Sequence, residues 1–329
     1  MIAAERVLVR APNWVGDVVL SLPALRDVRR AWPSARLSVL ARPWVAGIYR
    51  AVPEVDAIVE SRGHAADVRS LRGAFDLAVL LPNSFGSALV PWRAGIPHRW
   101  GYATDGRGLL LTRRCRVPAS VRGRSQVYYY RAMLEGLGIA TDGAPDASLA
   151  CPDAWAAEGR ALVGPGPVVG VNAGAAFGTA KRWPPERFAA AAEIVARRLG
   201  ATVAIVGGEA ERPLGEAIAA QLRVPSRVLC GRTTLAGLVG VLSTITLLLT
   251  NDSGPMHLAA ALGTPLVAVF GSTDWRETSP VGERAVVVRE PVPCAPCLLR
   301  ECPIDHPCMT RVDVERVAGA ALSLAGAGA

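Results

Sequence analysis

Short apolar runs alternate with longer amphipathic stretches along most of the chain. RVLVRAP reads as a strand, and GDVVLSLPALRDVRRAW after it has the apolar spacing of a helix. LSVLAR, DAIVE and DLAVLLP read as further strands, with helices at WVAGIYRAV, in the polar stretch before DLAVLLP, and at SFGSALVPWRAG. Strands that are apolar at nearly every position are buried on both faces, the condition of a parallel sheet covered by helices. The alternation breaks over residues 140–167, rich in Gly, Pro, Asp and Ala, and this stretch reads as an interdomain linker. It then resumes, with strands at VVGVN, ATVAIVGG, SRVLC, ITLLLTN and LVAVFGS, and helices over 185–199 and 210–222 and at LAGLVGVLS and GPMHLAAALG. The final pattern, VDVERVAGAALSLAG, predicts a terminal helix able to cross back onto the first domain. The expected fold is α/β, with two doubly wound Rossmann-like domains over residues 1–150 and 151–329. A length of 329 residues suits two such domains.

Charge adds an asymmetry to this symmetric plan. The net charge of +8 lies in the first half: residues 1–150 carry 20 arginines against 12 acids, and residues 151–329 carry 16 basic against 16 acidic. The stretch 106–126 holds six of those arginines, Arg107, Arg113 and Arg124 among them, and no acid. Such a field attracts phosphate, whether in nucleic acid, on a membrane surface or in an anionic lipid. A solvated arginine-rich loop accounts for it equally well. No stretch gives eighteen consecutive apolar residues, so no membrane span is read. MIAAERVLVRAP enters a strand without a signal segment, so a cytoplasmic location is expected.

Two residue types are rare enough to be informative. The only asparagines are Asn13, Asn83, Asn172 and Asn251, each at or just after the end of a buried strand. Ligands of open α/β sheets bind at that edge, so two asparagines in each half point to two sheets facing one cleft. Asparagine also suits turns, and for any one of them that explanation suffices. Of 36 basic residues, Lys181 alone is lysine. It lies in the loop GAAFGTAKRWPPERF after the strand ending at Asn172, where a compact ammonium can stabilise charge developing on a diphosphate leaving group.

Asn251, Asp252, Ser253 and Gly254 lead into a helix with Pro255 in its first turn, a cradle for an anion, with His257 one turn inside. Asp252 and Ser253 serve equally well as a helix cap. Asp17 opens the first helix, where it is either a cap or a general base for an acceptor hydroxyl. The chain lacks a D-x-D pair for a diphosphate-bound metal, a Walker loop and a G-x-G-x-x-G turn.

Of seven cysteines, Cys115, Cys151 and Cys230 are scattered and read as core residues. Cys294, Cys297, Cys302 and Cys308 follow C-x2-C-x4-C-x5-C beside His306. That spacing suits a structural zinc on four thiolates, or on three and His306; free thiols are the ordinary state of cytosolic cysteines.

The segments PNWVGDVVLSLPAL, LLPNSFGSALVPWRAGIPHRWGY, GAAFGTAKRWPPERF and TNDSGPMHLAAALGTPLVAVFGST together resemble the ADP-heptose:lipopolysaccharide heptosyltransferases, in order and at family-like spacing to about residue 282. The second segment most resembles the type II members. The resemblance implies a GT-B fold whose two domains face a central cleft. It also implies metal-independent, inverting transfer of L-glycero-D-manno-heptose from ADP-heptose to the first heptose of the Kdo-lipid A core. Asp17 then matches the family's base and Lys181 its diphosphate lysine. Asp252, Ser253, Gly254 and His257 match its phosphate-binding motif, Glu209 its ribose acid, and Asn172 and Asn251 join them on the donor side. The acceptor side falls to Asn13, Gly16, Asn83, Ser84, Arg107, Arg113 and Arg124. No cofactor is implied. The basic first half suits a phosphorylated lipid at the cytoplasmic face of the inner membrane. Rival readings are a type I or protein-acceptor heptosyltransferase, a sugar-nucleotide 2-epimerase, and a nucleic-acid-binding protein; the last leaves Lys181 and Asp252–His257 without a purpose.

Overall fold

The computed structural model describes residues 2–326. The chain divides into two compact units, Met1–Ala147 and Ser148–Ala329.

The first unit holds a parallel sheet of β1 (Arg6–Arg10), β2 (Arg36–Ala41), β3 (Ala57–Glu60), β4 (Leu77–Leu80), β5 (His98–Tyr102) and β6 (Arg113–Cys115), in the order β3-β2-β1-β4-β5-β6. The second repeats the plan with β7 (Val168–Asn172), β8 (Thr202–Ile205), β9 (Ser226–Val228), β10 (Leu247–Asn251), β11 (Leu266–Phe270) and β12 (Ala285–Arg289), in the order β12-β11-β10-β7-β8-β9. Each sheet reverses its strand order once, between β1 and β4 and between β7 and β10. The central strands are buried along their whole length, as β4, β7, β10 and β11 show, whereas β3, β9 and β12 at the edges are partly exposed.

Helices cover both faces, and local chemistry sets their ends. The helix Pro185–Leu199 starts on a proline that has no N–H to leave unpaired, and it stops at Gly200, whose φ of 62° lies in the left-handed region. In the first unit the helix Val15–Ala31 is locked to the helix Gln126–Gly136 by a buried ion pair, Arg131 Nε to Asp27 Oδ2 at 2.9 Å. Arg131 also donates to the carbonyls of Thr141, Asp142 and Gly143, fixing the chain as it leaves that helix.

Three differences from the sequence reading stand out. The stretch 140–167 is not all linker, because Asp153–Val163 forms a helix packed on the helix Leu235–Thr244. The strands β5, β6 and β12 were not anticipated; β5 and β6 are rich in His, Arg and Gly, and β12 is an edge strand. The C-terminal helix Val314–Gly326 stays with its own unit, packing on Pro185–Leu199 and β11 through Val317, Ala318 and Ala321.

Candidate active site

Both strands at the reversal of the second sheet end in asparagine, and both side chains turn inward. Asn172 Nδ2 donates to the Val206 carbonyl at 3.2 Å, and its Oδ1 accepts from Ser253 Oγ at 2.7 Å. Asn251 Nδ2 donates to the Ala173 carbonyl at 2.8 Å, and its Oδ1 accepts the Trp183 N–H at 2.9 Å. Asn172 and Asn251 thus brace the ends of β7 and β10, and Asn251 pins the backbone just after Lys181.

Lys181 closes the short turn Thr179–Lys181 and sets its Nζ 2.7 Å from Asp252 Oδ2. Thr273 Oγ1 and Thr278 Oγ1 donate to the same oxygen at 2.6 and 3.3 Å. Asp252 thereby fixes the Lys181 ammonium through one of its two carboxylate oxygens. Thr273 and Thr278 were missed, since isolated threonines after a strand carry no sequence signal.

Ser253 spends its hydroxyl on Asn172, so the helix Gly254–Ala261 has no side-chain cap among the described residues. Its first-turn N–H groups and positive dipole end remain for an anion, and Gly254 carries no side chain to obstruct one. His257, one turn inside, is buried; its Nδ1 has no hydrogen-bond partner among the described residues. Burial, with help from the Lys181 charge and against that of Asp252, pushes its pKa down to about 4, so the ring is neutral at pH 7.

Glu209 stands exposed after β8, the strand beside β7, and pairs with Arg212 at 2.7 Å. Its neighbour Glu211, not anticipated, accepts the Gly208 N–H at 2.8 Å and lies tight against Gly174.

In the first unit, Gly16 and Asp17 form the first turn of Val15–Ala31, directly after β1. The hydroxyl of Tyr130 is pushed well above its ordinary pKa by burial and then by the Asp17 charge, which places that carboxylate within electrostatic reach of the Gln126–Gly136 helix. Asn13 is exposed, and its carbonyl accepts Trp44 Nε1 at 2.8 Å. Asn83 Nδ2 donates to the Tyr129 hydroxyl at 2.6 Å, and Ser84 Oγ accepts the Ser87 N–H as a helix cap at 3.3 Å. Both are therefore engaged in structure.

The arginine cluster separates by burial. Arg107 is fully buried, donating to the carbonyls of Tyr102 and Pro82 and to Ser87 Oγ, and burial lowers its pKa to about 10. It is a core brace, which corrects its place among the acceptor contacts; a count of charges does not report depth. Arg113 and Arg124 are exposed, stacked over Trp100 at 4.9 Å and Tyr128 at 4.0 Å.

At the edge formed by β1, β2 and β4 lies a pocket of about 210 Å³, lined by Arg10, Asn13, Arg42, His64, Asp67 and Ser84 among others. Arg10 ends β1 and Arg42 follows β2. The two arginines share this edge only because β1 and β2 pair in parallel.

The four cysteines of the 294–308 segment form no disulfide, and among the described residues no group of three or more His, Cys, Asp or Glu side chains is placed to hold a metal ion. His306 Nε2 is engaged by the Ala180 carbonyl at 2.9 Å.

Residues 65–307 match the family model for glycosyltransferase family 9 (heptosyltransferase). The chain is 32% identical to lipooligosaccharide heptosyltransferase 2 of Haemophilus influenzae over 305 residues, which cover 86% of this chain and 88% of that protein. It is 33% identical to lipopolysaccharide heptosyltransferase 2 of Escherichia coli K12 over 309 residues, again covering 86% and 88%. The solved structure of E. coli ADP-heptose lps heptosyltransferase II superimposes with a TM-score of 0.84 at 30% identity, covering 98% of this chain and 99% of that one. Two doubly wound sheets of one topology, the motif order and these likenesses agree: the chain belongs to glycosyltransferase family 9, the heptosyltransferases.

Proposed function

We propose that this glycosyltransferase moves L-glycero-D-manno-heptose from ADP-heptose to the first heptose of the lipopolysaccharide inner core, carried on Kdo-lipid A. Family membership sets aside the epimerase and nucleic-acid readings, and the type II relatives favour the second-heptose acceptor over the first. The observation that carries the reading is the Lys181–Asp252 pair beside the uncapped helix Gly254–Ala261 at the reversal of the second sheet. In this reading the second unit takes the donor. Lys181 and the helix N-terminus face the diphosphate, the neutral His257 offers its ring to the same ligand, and Glu209 accepts from the ribose hydroxyls.

The first unit takes the acceptor. Asp17 removes the proton of the attacking hydroxyl as its oxygen bonds to the anomeric carbon. The bond from that carbon to the diphosphate oxygen breaks, and ADP leaves with the electron pair and inversion at the carbon. Charge neutralisation by Lys181 and the helix dipole removes the need for a metal in this scheme. Any metal taken by Cys294, Cys297, Cys302 and Cys308 would be structural, since four protein ligands leave no open position. Among the described residues no helix is long and apolar enough to cross a membrane. We place the enzyme at the cytoplasmic face of the inner membrane as a peripheral protein, with Arg10, Arg42, Arg113 and Arg124 toward acceptor phosphates.

The test is a pair of variants read by product formation and ADP calorimetry. Asp17→Ala should abolish transfer with ADP affinity kept, and Lys181→Ala should lose ADP affinity. Near-normal turnover by Asp17→Ala would remove it as the base.

A further inference from the structure

The 294–308 segment does not enter the proposed chemistry, yet it is built against both arms of the Lys181–Asp252 pair. Ala180, next to Lys181, is held at both of its flanking peptide groups: its N–H donates to the Arg300 carbonyl at 2.9 Å, and its carbonyl accepts from His306 at 2.9 Å. Because that partner is a carbonyl, the His306 Nε2 carries the proton. On the other arm, the Leu298 N–H donates to the Ser272 carbonyl at 2.8 Å, one residue before the Thr273 that donates to Asp252. Cys308 and Met309 seat the end of the segment against Gly271.

The fit is close on the lysine side. A Cβ on Gly178 would lie 2.2 Å from the Arg300 carbonyl oxygen, so only glycine admits this approach. The Arg300 guanidinium and the Lys181 ammonium share the ring of Phe177, at 5.3 and 5.2 Å from its centroid. His306 adopts φ 55° and ψ 48°, a left-handed conformation that costs a non-glycine residue energy and persists where surrounding contacts impose it.

We propose that the 294–308 segment is a strap that positions Lys181 for the donor diphosphate, with His306 as the positioning residue acting through the Ala180 carbonyl. The inference rests on the reading of Lys181 as the diphosphate lysine. The strap fixes the peptide on one side of the ammonium and, through Ser272, the turn that orients its carboxylate partner. Small displacements of such a group are costly, because a misplacement of about 1 Å can cost roughly a hundredfold in rate.

The experiment is a double-variant cycle on the full chain, read by ADP calorimetry and by donor and acceptor KM. His306→Ala is expected to weaken ADP binding and raise donor KM by roughly tenfold or more, with acceptor KM and melting temperature unchanged. His306→Gln, which retains an N–H donor on a side chain of similar reach, should restore most of the loss. In a Lys181→Ala background, His306→Ala should add nothing. Gly178→Ala, which pushes the strap away from the opposite side, should reproduce the His306→Ala phenotype and serves if that variant folds poorly. Additive losses in the double variant, or wild-type ADP binding by both His306→Ala and Gly178→Ala, would overturn the strap. Wild-type ADP binding by Lys181→Ala itself would instead overturn the reading of Lys181 on which the strap depends.

Discussion

Lys181 works in a setting that guanidinium does not fit. Its ammonium meets a single carboxylate oxygen already shared with two threonine hydroxyls, so the site offers a point contact rather than the two parallel acceptors that suit arginine. Lys181→Ala is expected to lower kcat/KM for donor by about a hundred- to a thousandfold, and Lys181→Arg to recover little of it in the same assay. Arg107 illustrates the opposite case. Removing a buried, hydrogen-bonded charge leaves its partners unpaired, so Arg107→Leu should destabilise the protein by about 3 kcal/mol. The expected readout is a lower melting temperature, with acceptor KM unchanged in the folded fraction. His257 has a folded-state pKa of about 4, below its ordinary 6.5. As pH falls, the unfolded chain takes up the proton first, so the stability due to the neutral ring is whole above about 6.5 and is lost toward 4. Thermal unfolding across that window should therefore slope toward acid instability, and His257→Asn should flatten the slope. Rarity in the sequence made Lys181 and the four asparagines visible. Rarity does not tell where a side chain points, and the inward hydrogen bonds by which Asn172 and Asn251 brace their strands are visible only in the fold.

Elements were legible where burial was complete on both faces. The runs that became β1, β2, β4, β7, β10 and β11 each hold at least three Val, Leu, Ile or Ala residues in a short segment closed by turn residues, the pattern of a strand buried on both faces. β5 and β6 were missed because half of their residues are polar and their partners in the sheet supply the remaining order. The helix Asp153–Val163 was hidden by the Gly and Pro around it. Its glycine is in fact an asset: a Cβ on Gly159 would sit 2.2 Å from the Gly240 carbonyl, and one on Gly240 would sit 1.9 Å from the Trp155 carbonyl. The two helices thus cross with their backbones in contact. Gly240→Ala must push them apart, and it is expected to cost about 1–3 kcal/mol, measured by denaturant unfolding; a neutral result would mean that the crossing adjusts freely.

At the scale of the whole molecule, two units of one topology carry different charge. The excess of eight positive charges in residues 1–150 leaves residues 151–329 neutral and the first unit basic, the asymmetry that the proposed phosphorylated lipid acceptor calls for. Full-length protein should bind vesicles of anionic lipid, and the binding should weaken steeply as salt rises from about 0.05 to 0.5 M; salt-insensitive binding would argue against an electrostatic role for this half. The two-domain plan was readable because the same alternation occurs twice. The basic pocket of Arg10 and Arg42 was not, because the two arginines are neighbours only once β1 and β2 pair.

The proposed transfer can be read out by mass spectrometry of products formed with ADP-heptose in the presence of EDTA, offering a one-heptose Kdo-lipid A acceptor beside a Kdo-only acceptor. A single heptose added to the one-heptose acceptor, and none to the other, is the expected result. Extension of the Kdo-only acceptor would reassign the protein to the first transfer, and absence of product from both would contradict the proposed reaction.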